Sequence, residues 1–257
     1  MLAIKSMPND KSPGIDGIPI EFFVKNWTVV ESDVVKVIQE FFHTGEMLKA
    51  FSCTAVALIP KVPNPAQVKD YIPIACCTMF YKIITKILTI RMKLVIDHVV
   101  SPAQSAFIEG RSIIDNVLIS HEILKWYSRK GLSPRCVMKV DLRKAYDSIE
   151  WCFLESIMAE LGFPYLFIKW VMACITSVSY SLLLFGGLTT PFVGKKGIRQ
   201  GDPMSPNLFV LAMEYLQREF SQLDDLLLFC KAEVKSIQML HDAFTRFSKA
   251  SGLQANT

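Results

Sequence analysis

Three acidic residues stand where they could act on one ligand: Asp141 and the adjacent pair Asp224 and Asp225. Asp141 follows Cys136-Val137-Met138-Lys139-Val140, an apolar and partly β-branched run bounded upstream by Gly131 and Pro134, which predicts a short strand. Asp224-Asp225 immediately precede a second apolar run, Leu226-Leu227-Leu228-Phe229-Cys230. A carboxylate at the mouth of a core strand is costly unless something cationic meets it. Set side by side, the two strands bring Asp141 and Asp224 together, and their repulsion favours a hard divalent cation with oxygen ligands. That is the ground plan of a two-metal phosphoryl-transfer centre.

The rest of the chain must supply the scaffold. Its 257 residues can bury one large core or two modest ones, and 51% hydrophobic with 20% charged residues argues for folding over disorder. Net charge is 28 minus 24, or +4, too weak by itself to argue for nucleic acid. The N-terminus lacks the apolar region of a signal peptide. The uncharged stretch from Trp170 to Gly194 is the one candidate membrane span. Thr176, Ser177, Ser179, Ser181, Gly186, Gly187 and Pro191 break it into a helix end and a hairpin, so no membrane insertion is expected. The seven cysteines are odd in number and form no CxxC pair; they read as small core residues in a reducing compartment. The sequence leaves the intracellular location open between nucleus and cytoplasm.

Taken in order, KSPGIDGIP at 11–19 is a turn-rich lead-in. Val30, Val34, Ile38, Phe41 and Phe42 mark an amphipathic helix ending near Gly45. Thr54 to Ile59 predicts a strand followed by Pro60-Lys61 and a polar loop; Lys61 is either a solvated lysine or a phosphate donor. A helix over 79–96 has an apolar face of Phe80, Ile83, Ile87, Ile90 and Leu94. Its Lys82, Lys86 and Lys93 lie within about 40° of one another, a stripe that could follow a phosphate backbone or simply face solvent. Arg91 falls inside the apolar arc and is expected to snorkel or find an acidic partner. A helix from about Asp115 to Tyr127 points Val117, Leu118, His121 and Leu124 inward, with His121 structural. Helices over 151–161, 165–174, 207–219 and 237–247 and a hairpin around Gly186-Gly187 complete the pattern. Arg199 and Gln200 sit on a glycine-flanked turn, where backbone can approach a ligand closely.

These motifs together resemble the reverse transcriptase domain of plant non-long-terminal-repeat retrotransposons. The matching pieces are SPGIDGIP at 12–19, ALIPKVPNP at 57–65, SPAQSAFIEGRSIIDNV at 101–117, KVDLRKAYDSIEW at 139–151, GIRQGDPMSPNLFVLAMEYL at 197–216 and DDLLLFCK at 224–231. The resemblance implies an α+β fold, the fingers (about 1–135) and palm (about 136–257) of a right-handed polymerase, with an antiparallel palm sheet flanked by helices. It implies that Asp141, Asp224 and Asp225 hold two magnesium ions, with manganese as a substitute. Tyr146 matches the residue packing against the incoming sugar, Arg199, Gln200 and Gly201 the loop contacting nucleotide and template, and Lys61 a fingers lysine reaching the triphosphate. RNA template, DNA primer and deoxynucleoside triphosphates follow as partners; no protein partner is implied.

The departures bear on activity. The family carries an arginine that contacts the triphosphate where this chain has Ile72, within Tyr71-Ile72-Pro73-Ile74, which removes a charged donor. The acidic pair is preceded by Gln222-Leu223 where the family has an aromatic residue and alanine, and leucine is bulkier. Only 17 residues separate Pro206 from Asp224, where the family places several tens. A helix through Glu219 leaves Phe220 to Leu223 to reach the next strand, at no more than about 3.5 Å per residue. A direct return is barely accommodated, and a separate intervening strand is not. The family's lysine after the GLQANT-like segment would lie beyond Thr257, and no thumb, endonuclease or ribonuclease H region falls within the chain. The expectation is a truncated, internally deleted and catalytically inactive reverse transcriptase fragment. Two other readings stay open: a weakly active polymerase that needs a partner, and a non-catalytic nucleic-acid-binding or structural remnant.

Overall fold

The computed structural model describes residues 1–8, 12–125, 135–221, 229–231 and 233–256. Helices open the chain: α1 (Leu2–Lys5), α2 (Ile20–Lys25) and α3 (Trp27–Thr44). The periodicity of α3 buries Val34, Ile38 and Phe41, and the helix stops at Gly45, whose φ of 73° is left-handed. After α4 (Lys49–Ser52), β1 (Cys53–Pro60) and β2 (Tyr71–Cys77) pair antiparallel, Thr54 opposite Cys77 and Pro60 opposite Tyr71. Pro73 argues against a central strand, and β2 is indeed an edge.

The hub is α5 (Met79–Val99), capped by the Thr78 hydroxyl, which accepts from the Tyr81 amide. Its buried stripe is Tyr81, Ile84, Leu88, Met92 and Ile96; of the expected face Ile83 is buried and Phe80 and Ile87 pack half-buried against the core, while Leu94 is 74% exposed. The helix is apolar on several sides, so periodicity alone does not choose among them. The expected lysine stripe is corrected with it. Lys82 is buried, its ammonium donating to the Ser12 carbonyl at 2.7 Å, while exposed Lys93 pairs with Glu109 at 2.9 Å. Arg91 lies over the rings of Phe42 and Trp170, 4.9 and 5.8 Å from their centroids, in place of an acidic partner.

In α6 (Ile113–Lys125), Val117, Leu118, His121 and Leu124 are exposed, which corrects the inward face expected for them. Periodicity reports where the apolar residues are and not whether a neighbour covers them. Then come β3 (Arg135–Val137), β4 (Leu142–Arg143), α7 (Ala145–Ser148), α8 (Trp151–Glu160) and α9 (Tyr165–Thr176). The uncharged stretch after Trp170 divides as expected, into the end of α9 and the strands β5 (Ser179–Leu184), β6 (Gly187–Leu188) and β7 (Phe192–Val193). Phe185 and Gly186 both have positive φ, 50° and 79°, the geometry that a two-residue hairpin needs. The chain continues through α10 (Ser205–Ser221), β8 (Phe229–Lys231), α11 (Val234–Ser251) and β9 (Gln254–Ala255).

The result is α+β with a mixed main sheet, in the order β2-β1-β5-β6 with β7 also on β5. β1 and β5 run parallel, Thr54 opposite Tyr180, so this sheet is not wholly antiparallel and joins strands from either side of the expected 135/136 boundary. Two short antiparallel pairs stand apart. β3 pairs with β8, Val137 opposite Phe229, and β4 pairs with β9, Leu142 opposite Ala255. α5, α8, α9, α10 and α11 share one core through Leu88, Leu154, Val171, Leu211 and Phe247. Among the described residues no helix is long and apolar enough to cross a membrane.

Candidate active site

The glycine-flanked turn is held from two sides. Gly197 donates to the Ile149 carbonyl and Ile198 to the Tyr146 carbonyl, each at 2.7 Å, which fastens the turn to α7. Gly197 has a φ of 84°, and a Cβ there would lie 2.9 Å from the carbonyl oxygens of Tyr146 and Asp147, so this position admits only glycine without displacement. From the opposite side, the Ala75 amide on the free edge of β2 donates to the Gln200 carbonyl at 3.1 Å. Backbone direction alternates along a strand, so Pro73, two residues back, has its missing N–H on that same outer side.

Beneath the turn lies a buried ionic cluster. The Arg199 guanidinium is 3.9 Å above the Tyr81 ring centroid, and the Tyr81 hydroxyl donates to Asp202 Oδ2 at 2.6 Å. Asp202 Oδ1 accepts from the Met204 amide at 2.9 Å as the chain enters α10. Arg199 Nη2 reaches the Ser52 carbonyl at 3.4 Å, while Nε and Nη1 have no partner among the described residues. Burial works against the guanidinium's charge, but the anions that Tyr81 and Cys77 become at high pH, with Asp202 and Tyr180, outweigh it and hold the pKa above its ordinary value. Burial pushes the Tyr81 phenol well up and the Cys77 thiol to about 11, so both stay neutral beside that charge.

Gln200 divides two clefts. The first, 540 Å³, is lined by Tyr146, Gln200, Gly201, Asp202, Lys82 and Lys86 over an apolar floor that includes Ile20 and Met79. Tyr146 stacks on Phe209 with centroids 5.3 Å apart and planes at 16°, which fixes its ring as a wall. Partial burial, with Lys93 adding and Glu109 opposing, holds the Lys86 ammonium below its usual pKa. The second cleft, 390 Å³, is lined by Asp147, Tyr180, Lys195, Lys196, Arg199 and Gln200, with Pro73 and Ala75 from β2. Desolvation raises the Asp147 carboxyl, and Lys144 partly offsets it.

Of the residues singled out in the sequence, Tyr146, Gln200 and Gly201 therefore meet in one cleft, and Arg199 lies behind it, 4% exposed. Lys61 is exposed at the start of the β1–β2 connection, its ammonium on the Lys69 carbonyl at 3.1 Å, and lines neither cleft. Ile72 is 38% exposed on β2 and alternates away from Pro73 and Ala75. Asp141 is exposed immediately before β4 and lines neither cleft. Asn256 Nδ2 donates to its Oδ2 at 3.2 Å; among the described residues Oδ1 has no partner and no cation pairs with the group. A divalent ion suits such a carboxylate. Asp224 and Asp225 lie outside the described residues, among which no group of three possible metal ligands occurs. The Tyr81–Asp202 bond joins residues 121 apart, and Asn256 and Asp141 are 115 apart; no local pattern announces either.

Residues 59–257 match the reverse transcriptase (RNA-dependent DNA polymerase) family, and the chain belongs to that family. Its relatives are proteins of non-long-terminal-repeat elements. The chain is 32% identical over 212 residues to the transposon TX1 uncharacterized 149 kDa protein of Xenopus laevis, a match covering 82% of this chain and 16% of that protein. It is 26% identical over 262 residues to the Pol polyprotein of the type-2 retrotransposable element R2DM of Drosophila melanogaster, covering 95% of this chain and 24% of that one. The chain thus spans a quarter or less of these relatives' lengths. Apo telomerase from Candida tropicalis, truncated from its C-terminal domain, superposes with a TM-score of 0.55 at 13% identity, covering 95% of this chain and 56% of that one, a likeness of fold.

Proposed function

We propose that this reverse transcriptase domain is built for RNA-templated nucleotidyl transfer to a DNA primer, and that its own sequence changes leave it without extension activity. The observation that carries the reading is the first cleft, where Tyr146 faces Gln200 and Gly201. Tyr146, braced by Phe209, is the wall that would pack against a deoxyribose and disfavour a 2′-hydroxyl. Gln200, anchored through its carbonyl to β2, separates this nucleotide cleft from the second one, whose Lys195, with Lys196 paired to Glu150 at 3.2 Å beside it, suits a template backbone. On this reading the β1–β2 hairpin with α5 forms the fingers and the segment from 136 the palm, in the manner of plant non-long-terminal-repeat elements.

Asp141 is the described residue that would hold magnesium, with Asp224 and Asp225 proposed beside it; when bound, two such ions activate the primer hydroxyl and neutralise charge on the phosphoryl group. β3 and β8, the strands flanking these carboxylates, are paired, which favours their meeting. Two features oppose turnover. Ile72 offers no donor to the triphosphate, and α10 runs to Ser221, so residues 222–228 alone join it to β8. Loss of one transition-state donor costs about a hundredfold in rate, and a carboxylate displaced by about 1 Å a similar factor. A second reading, a non-catalytic nucleic-acid binder, is favoured by the basic second cleft.

Primer extension on a primed RNA template, with magnesium or manganese and four deoxynucleotides, tests the proposal. The chain should give no more product than Asp141→Ala. Extension that disappears in Asp141→Ala would overturn the inactive reading. Salt-dependent binding without extension, unchanged in Asp141→Ala and weakened in a Lys195→Ala/Lys196→Ala double variant, would favour the second.

A further inference from the structure

Residues 251–256 run back past residues 141–150 and are joined to them at both ends. Glu150 donates its amide to the Ser251 carbonyl at 2.9 Å. Gly252, at φ 76°, passes so close that a Cβ would lie 2.6 Å from the Ser148 carbonyl oxygen. Arg143 and Leu142 pair with Gln254 and Ala255. Leu253 and Ser251, both fully buried, anchor the inner side. The Asn256 amide then donates to the Asp141 carbonyl at 2.7 Å, so its backbone is fixed relative to Asp141 before any side chain acts. The series ends in the side-chain bond from Asn256 Nδ2 to Asp141 Oδ2 at 3.2 Å.

We infer that Asn256 is a positioning residue for the Asp141 carboxylate: its amide engages Oδ2 and leaves Oδ1 to a divalent cation. The inference rests on the proposed reading of Asp141 as a metal ligand. An exposed aspartate samples several rotamers, and a cation that binds it must select one; a neighbour that has already selected it lowers that cost. The donor is suited to this task because a neutral amide orients a carboxylate without neutralising it. An arginine or lysine in its place would compete with the metal. The backbone bonds make the arrangement independent of the side chain, so removing the amide leaves the antiparallel pairing in place.

The test is manganese titration of the full chain, followed by the electron paramagnetic resonance signal of free Mn²⁺, beside thermal melts. Asp141→Ala should abolish the site. Asn256→Ala, and Asn256→Leu, which keeps the volume without the donor, should each weaken Mn²⁺ about tenfold, as loss of an outer-shell partner does. Their melting temperatures should stay within about 2 °C of the parent. Asn256→Gln, which retains the donor on a longer arm, should recover all but about threefold. No saturable binding by the parent, or parent-like binding by Asp141→Ala, overturns the metal reading and this inference with it. Binding lost in Asp141→Ala but unchanged in both Asn256→Ala and Asn256→Leu overturns the positioning role alone. If Asn256→Ala melts early, equal Mn²⁺ affinities for Asn256→Leu and Asn256→Gln likewise overturn it.

Discussion

The Gln200 turn and the Asp141 edge contribute to one proposed site but are built in contrasting ways. The turn is sewn to β2 and α7 by backbone bonds and rests on the buried Arg199–Tyr81–Asp202 cluster. Asp141 stands exposed immediately before a two-residue strand, with Asn256 as its partner among the described residues. Where recognition depends on shape, the fold invests core contacts. Where the proposed chemistry would need a cation, it leaves a carboxylate accessible. Stability and metal binding should therefore separate by mutation, one belonging to the turn and the other to the edge.

The largest expected effect is at the turn. Asp202→Ala removes the acceptor of the Tyr81 hydroxyl and the Met204 amide, and leaving a buried donor unsatisfied costs about 1–3 kcal/mol for each. Urea unfolding measures it, and a loss below about 1 kcal/mol, the range of an ordinary surface site, would break the contrast. Next comes alkaline pH. The Cys77 thiol, raised by burial from 9.0 to about 11, stays protonated in the fold while the unfolded chain ionises. The unfolded state then binds fewer protons, so stability is intact below pH 9 and falls between 9 and about 11, by about 1.4 kcal/mol per pH unit from this thiol. Chemical denaturation at pH 8 and 10.5 checks it, with Cys77→Ser subtracting the slope. Gly197→Ala should cost about 1–3 kcal/mol through its positive φ and its approach to the Tyr146 carbonyl. Smallest of all, Asp141→Asn should change stability by less than about 0.5 kcal/mol while removing Mn²⁺ binding. A large stability loss there would erase the distinction.

Much of this was legible from local pattern. Helices α3, α5, α8, α9, α10 and α11 follow apolar periodicity and glycine stops, and the Gln200 turn announces itself by its flanking glycines. The buried face of α5 was legible only in part, because a helix apolar on several sides has no single moment and tertiary packing chose Tyr81, Leu88 and Met92. α6 failed for the opposite reason: its apolar residues repeat well, yet Leu118 and Ile119 remain exposed. β2 was hidden by Pro73, which only an edge position permits. The Tyr81–Asp202 and Asn256–Asp141 bonds depend on long-range closure that spacing cannot express. Asp224 and Asp225, prominent in the sequence, lie outside the described residues.

The edge position of β2 has a consequence for the molecule in crowded solution. An unpaired strand offers a row of donors and acceptors to any other strand, including that of a second copy. Here Pro73 has no proton to offer, and the Ala75 proton is already occupied by Gln200. The opposite margin of the sheet is divided between β6 and β7, two residues each, too short to template an added strand. The sheet therefore resists self-association through its margins, and the contact that fixes the Gln200 turn also guards the chain against aggregation.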